Sequence, residues 1–237
     1  MHRRGFLRLC TSIAAASLAS PSFFKDLVRG SVEFKPYRKA PLLKEDGTPL
    51  TPSEVSPEEQ YIFFYPYRAT PCLLINLGEK VDPVKLKLSD GTTYLWSGGV
   101  GPHRSIVAYS AICPHQLSYP TPEVSAVGYY PEGVPSKLLK RDKVIQCCAH
   151  LSVFDPARGG EVLEGPSPSP LTAIVLSYEG GVLYALGTVG RELFEEFFDV
   201  FKPDLRKLYR STRRAKKLVE KCTVVKMEDY VREFIRC

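Results

Sequence analysis

Histidine is scarce in this chain, with four among 237 residues, so any site that needs several imidazoles must use nearly all of them. Long apolar runs are missing as well. The stretch Leu9–Ala19 spans eleven residues and is Ala-rich, whereas a helix crossing a bilayer needs about 20 apolar residues. Extending it to Phe24 takes in Pro21, so an ordinary transmembrane helix is not expected there. Helical texture is lacking until about residue 191, and the 20 prolines and 17 glycines argue for a loop-rich, β-dominated body. An even spread of positive charge is absent too. Net charge is +6, yet Lys202–Lys221 alone holds nine basic and two acidic residues, which leaves the rest close to neutral. At 44% hydrophobic the chain can bury one sizeable core, that of one domain with extensions.

Against that background two clusters stand out, thirty-four positions apart: Cys113-Pro114-His115 and Cys147-Cys148-Ala149-His150. Each supplies a thiolate and an imidazole, and together they read as one metal site with Cys113, His115, Cys147 and His150 as ligands. Mixed ligation suits an iron–sulfur centre. An iron held by two thiolates and a second held by two neutral imidazoles carry less negative charge than an all-thiolate cluster, which raises the potential. The alternative is a closed tetrahedral zinc site that only staples loops together, in an exported binding module. Because Cys148-Ala149-His150 repeats the Cys-x-His spacing, spacing alone does not choose between Cys147 and Cys148.

Cys-x-His followed by Cys-x-x-His, with His150-Leu151-Ser152-Val153-Phe154-Asp155, Gly159-Gly160 and Gly165-Pro166-Ser167-Pro168 around and after it, resembles the Rieske family. The resemblance implies an antiparallel all-β fold, with a small cluster-binding subdomain inserted into a larger β base, and one 2Fe-2S cluster per chain. It implies that Cys113 and Cys147 hold the buried iron and His115 and His150 the outer one. It further implies that Ser152 hydrogen-bonds a bridging sulfide and that the loop of Gly165 and Pro166 covers the cluster. Aligning Ser152 and Phe154 with the family puts the ligand at Cys147 and leaves Cys148 where proline is usual. Phe64-Tyr65-Pro66 through Pro71-Cys72, Gly98-Gly99-Val100-Gly101-Pro102 and Ile106-Val107-Ala108-Tyr109-Ser110 are similar to the small subunit of arsenite oxidase, and with the second cluster they extend over residues 61–190. That likeness implies one-electron transfer from a molybdopterin catalytic subunit to a cytochrome or other acceptor. The second reading within the family is the Rieske subunit of a quinol–cytochrome c oxidoreductase. A Rieske oxygenase is excluded, because its mononuclear iron needs two further histidines and a carboxylate and only His2 and His103 remain.

Two departures from the family pattern carry expectations. Ser118 and Ala149 stand where most Rieske centres place the two cysteines of a disulfide between the ligand loops, so that brace is expected to be absent and the cluster labile. The intervening stretch Ser118–Gln146 looks longer than usual and carries Tyr129-Tyr130-Pro131 and the basic run Lys137–Lys143. Phe154 stands where high-potential members have a tyrosine donating to a ligand sulfur, which implies a potential in the middle or lower part of the family's range. The family likeness also implies that the ligating imidazoles lose a proton in the oxidised protein, so that the potential falls as pH rises.

Along the chain, residues 1–22 read as a twin-arginine export signal, with His2-Arg3-Arg4-Gly5-Phe6-Leu7-Arg8 ahead of the apolar stretch and Ser17-Leu18-Ala19 as a cleavage site. That route carries folded, cofactor-loaded proteins and implies a periplasmic location, with an uncleaved signal anchor as the alternative. Residues 23–60 read as an arm or linker. The cluster domain is expected over 61–190, with strands at Tyr61–Tyr65, Cys72–Asn76, Val84–Leu88, Ile106–Tyr109, Val144–Gln146, Ala173–Tyr178 and Val182–Leu186. Residues 191–237 read as a basic helical tail, helical over Arg191–Val200, Leu205–Lys221 and Met227–Arg236. Such a tail is either a solvated face or a docking surface for an acidic redox partner or an anionic membrane. Nucleic acid is not expected as a partner of an exported protein. Cys72 reads as a buried thiol, His103 as an exposed loop residue, and Cys222 with Cys237 as a candidate disulfide.

Overall fold

A computed structural model describes residues 34–88 and 90–237. The expected export signal and the start of the expected arm lie outside the described residues. Among the described residues no helix is long and apolar enough to cross a membrane. The strands are β1 (Phe34–Leu43), β2 (Gln60–Phe64), β3 (Pro71–Asn76), β4 (Val84–Lys87), β5 (Thr93–Trp96), β6 (Ile106–Ser110), β7 (Val124–Ser125), β8 (Val127–Tyr130), β9 (Val144–Cys147), β10 (Ser152–Asp155), β11 (Glu161–Glu164), β12 (Ala173–Glu179), β13 (Val182–Val189), β14 (Cys222–Thr223), β15 (Val225–Lys226) and β16 (Glu233–Phe234). Eight of them make a nearly closed sheet in the order β14-β1-β13-β12-β6-β3-β2-β15, and β11-β10-β9-β8 make a second, smaller sheet. The mostly-β fold expected from the sequence is the fold observed.

Period-two alternation sorts the side chains of the large sheet into two cores. Leu42, Phe63, Leu74, Ala108, Ile174 and Ala185 come from strands all around the sheet and pack together in its interior. Their neighbours Leu73, Val107, Tyr109 and Ala173 point the other way, into a core shared with Tyr129, Ile145 and Phe154 of the smaller sheet. Strands buried on both faces show continuous apolar runs, and every residue of β3 and β6 is buried. The Tyr109 hydroxyl crosses between the two layers and donates to the Pro156 carbonyl at 2.7 Å, tying the small sheet to the large one.

Two expectations need correction. From residue 34 the expected arm is a strand: β1 pairs antiparallel with β13, buries Ala40, Leu42 and Leu43, and exposes Lys35, Pro36, Arg38 and Lys39. Its lysines and prolines hide it in the sequence because only its inner end alternates. The last segment is helical only in part. Three short helices, α1 (Phe194–Val200), α2 (Lys202–Tyr209) and α3 (Thr212–Ala215), are followed by strands and one more helical turn, α4 (Met227–Tyr230). The long helix expected over Leu205–Lys221 breaks at Arg210, which takes a left-handed conformation. Ser211 then caps a new helix by accepting from the Arg214 N–H, an N-cap role for which serine is favoured. Beyond it, β14 pairs with β1 and β15 pairs with β2. Only Val224 separates these two short strands, so this segment joins the two edges of the large sheet.

Candidate metal centre

The two ligand loops grow out of strand ends. Residues Ala111–Cys113 continue β6, with the Ala111 N–H held by the Pro71 carbonyl at 2.9 Å. The loop then closes on itself: Cys113 N–H donates to Ser118 O and Leu117 N–H to Cys113 O, both at 2.9 Å. The second loop is the turn between β9 and β10, where Cys147 pairs with Ser152, and Ile145 with Phe154. Directly opposed residues share a face, so Cys147, Ile145, Ser152 and Phe154 all look into the core. Leu117 and Leu151 both have positive φ, 59° and 61°, a conformation leucine rarely adopts. One such residue bends each ligand loop.

The structure brings the four expected residues together as two pairs. Cys113 and Cys147 are fully buried and share a hydrogen bond. His115 and His150 meet edge to face with ring centroids 4.7 Å apart; His115 is half-buried and His150 exposed. The sulfur pair lies inside and the imidazole pair toward solvent. Among the described residues no three of His, Cys, Asp or Glu converge on one point. A single tetrahedral zinc would need all four donors around one ion, whereas a binuclear centre takes them two and two.

The environment of the thiols favours one negative charge. Cys147 is drawn down to about 7, first by the hydrogen bond from Cys113 and further by the Ala149 and His150 N–H groups and the Ser118 side chain, with burial opposing. Cys113 is pushed up by the same shared bond and by burial. The donor set also fits a bound group. His115 Nδ1 and Ser152 Oγ are buried without a hydrogen-bond partner in the protein, and such atoms are uncommon in folded chains.

The remaining residues singled out in the sequence take varied places. Phe154 is fully buried on the cysteine face. Gly165 and Pro166 are exposed, and Gly165, at φ 93°, packs so tightly against Leu151 O and Ser152 Cα that a Cβ would clash with the second ligand loop. Cys72 is a buried free thiol and His103 is exposed in a turn. The candidate pair Cys222 and Cys237 does not form. Cys237 is instead disulfide-bonded to Cys148, with Cα atoms 5.7 Å apart, and Cys222 is free and buried.

This disulfide is what the sequence reading missed. A brace is absent between Ser118 and Ala149, but the second loop is held from another direction, by the last residue of the sequence. Tyr130 sits at the junction: its hydroxyl donates to Cys148 Sγ at 3.2 Å and accepts from the Cys237 N–H at 2.9 Å. Gln146 Nε2 donates to Cys237 Sγ at 2.7 Å. β16 pairs with β7, and Phe234 packs so closely on Gly128 that no side chain fits there. The surplus Cys148 was the available signal, since its sulfur needed a use once Cys147 was taken as the ligand.

Comparison with known proteins finds several likenesses. The family model described as the Rieske [2Fe-2S] domain matches residues 75–179. Iodate reductase subunit IdrB of Denitromonas iodatirespirans is 28% identical over 138 residues, covering 58% of this chain and 60% of the relative. The protein of the same name from Pseudomonas sp. (strain SCT) is 28% identical over 193 residues, 80% of each chain. The chain thus spans about three fifths of the first relative's length. Among solved structures, the soluble domain of the Rieske protein II (soxF) from Sulfolobus acidocaldarius is 22% identical with a TM-score of 0.48, over 83% of this chain and 96% of that one.

Proposed function

We propose, for a chain that carries a Rieske [2Fe-2S] domain, a role as the electron-transfer subunit of a molybdenum-dependent oxidoreductase, exported from the cytoplasm. The observation that carries the reading is the nesting of a buried thiol pair behind an outward imidazole pair. Cys113 and Cys147 are the proposed inner ligands and His115 and His150 the outer ones. Bound there, a Rieske cluster supplies one-electron transfer at a raised potential. The protein's part is positioning. β6 and the β9–β10 turn fix the two sulfurs, and Ser118 and the Ala149 and His150 N–H groups donate toward Cys147. Ser152 Oγ, unpartnered in the protein, is free to donate to the bound group, and Phe154 keeps water from the sulfur side. His150 and Leu151 stand exposed, which gives a partner access to the imidazole edge.

Partner and location rest on other observations. Relatives named as iodate reductase subunits, with the likeness to arsenite oxidase small subunits, support a molybdopterin catalytic subunit on one side and a cytochrome or similar acceptor on the other. Export is supported by Arg3-Arg4 and by the Cys148–Cys237 disulfide, a bond that persists in oxidising compartments. The test is a redox titration of the purified protein's visible spectrum in wild type and two variants. A single one-electron wave is expected in wild type and in Cys148→Ser, and none in Cys147→Ser. A wave that survives in Cys147→Ser and disappears in Cys148→Ser would reverse the ligand assignment, and no wave in wild type would end the electron-transfer reading.

A further inference from the structure

We propose that the cation-rich surface of α2 and α3, with the exposed Leu208, is the docking surface for an acidic redox protein. The proposal rests on the electron-transfer reading above and names the kind of partner that site serves. Lys202–Lys221 contains nine cations, of which only Lys216 has an ion-pair partner, Glu195, among the described residues. Arg206, Lys207, Arg210, Arg213, Arg214 and Lys217 are all exposed. Elsewhere cations are often matched, as in Lys35 with Glu192, Lys39 with Glu179, Lys44 with Glu54 and Arg141 with Asp155. Unmatched positive charge is therefore densest along this segment.

That segment is fastened to the first ligand loop. Tyr119, four residues beyond His115, stacks edge-on against Phe197 and Phe201 with centroids 4.8 Å away in each case. Leu117, two residues beyond His115, packs on the same helical core. Leu208 is 49% exposed and lines a cleft with Tyr119, Pro120 and Tyr230. An exposed apolar side chain with Arg206 and Lys207 on its own helix and Arg210 just past that helix's end, over a cleft whose walls include Tyr119 and Pro120, has the ingredients of a small protein interface, an apolar centre with a polar rim. A partner seated there lies beside the loop that carries His115. This helical segment is a poor match for a lipid surface, because an interfacial helix presents its apolar face to the bilayer. Here Phe194, Phe197 and Phe198 of α1, Leu205 of α2 and Ala215 of α3 are buried together with Ala69 and Ile112.

The experiment uses the full holoprotein, reduced, with two protein oxidants: plastocyanin, an acidic blue-copper protein, and a basic cytochrome c. Each encounter with plastocyanin moves one electron to Cu(II), giving Cu(I). The plastocyanin rate is expected to rise about tenfold or more between an ionic strength of about 0.3 M and about 0.01 M, and the cytochrome rate to fall. The quadruple variant Arg206→Gln, Lys207→Gln, Arg213→Gln, Arg214→Gln, all exposed positions, loses most of that rise while its electron paramagnetic resonance spectrum stays unchanged. Isothermal titration with redox-inert, zinc-substituted plastocyanin should show binding at low salt that the variant and Leu208→Ser weaken. An unchanged salt dependence in the quadruple variant overturns the proposal. So does binding to phosphatidylglycerol vesicles that the variant loses while its plastocyanin rate stays at the wild-type value. Absence of a cluster sinks the electron-transfer reading itself, whereas an intact cluster with rates indifferent to these charges sinks only the docking surface.

Discussion

Cys147 and Cys148 are adjacent, yet strand parity sends one inward beside Cys113 and the other outward to Cys237. Their serine variants should therefore differ in kind: Cys147→Ser abolishes the visible chromophore, whereas Cys148→Ser keeps it and loses stability. Gly165→Ala puts a methyl group into Leu151 O at a positive φ. A cost of about 2 kcal/mol or more is expected, read as an earlier denaturant midpoint with reduced iron content, and an unchanged midpoint would refute the contact. Phe154→Tyr adds a donor on the cysteine face, and hydrogen bonds to ligand sulfur raise the potential, so redox titration should show an upward shift. A downward shift or none would mean that the hydroxyl does not reach sulfur. The proposed ligands were legible because each box is local, its cysteine and histidine two or three residues apart. Leu117 and Leu151 were not, since nothing in a leucine announces a left-handed backbone.

At the scale of elements, the second ligand loop depends on a segment 89 residues away in sequence. This strap is expected to offset the lability that the missing inter-loop brace implies. Cys237→Ser should cost about 2–4 kcal/mol of stability and move the loss of cluster absorbance to lower denaturant, with the spectrum in buffer unaltered. Coincident denaturation curves for wild type and variant would show that the strap does not hold the loop. Val224, buried between β14 and β15, is the seam of the large sheet, and Val224→Asp would bury an unpaired carboxylate. Soluble yield and thermal midpoint should both drop sharply. Strands with runs of β-branched and aromatic residues, such as β3, β6 and β12, were readable one segment at a time. β14 and β15 were masked by the basic stretch before them, although Cys222-Thr223-Val224-Val225 alternates in burial, and pairing partners that lie far apart in sequence leave no local trace.

For the molecule as a whole, topology builds a segment that looks like a tail into the fold: residues 222–226 join the two edges of the large sheet and residues 233–237 hold the ligand turn. Removing residues 222–237 should therefore prevent folding of the cluster domain, where a dispensable tail would leave its spectrum intact. The charge asymmetry visible in the sequence survives folding, because α1–α3 bury Phe194, Phe197, Phe198, Leu205 and Ala215 and leave most of their cations in water. What composition could not reveal was where those helices pack, since the contact of Tyr119 with Phe197 and Phe201 joins segments about 80 residues apart. The central claim is that this fold holds a two-iron cluster with sulfur ligands inside and nitrogen ligands outside. Electron paramagnetic resonance of the dithionite-reduced protein, with iron and acid-labile sulfide determined on the same sample, tests it most directly. The account predicts a Rieske-type signal with an average g below the free-electron value and two irons and two sulfides per chain; a silent spectrum with stoichiometric zinc would contradict it.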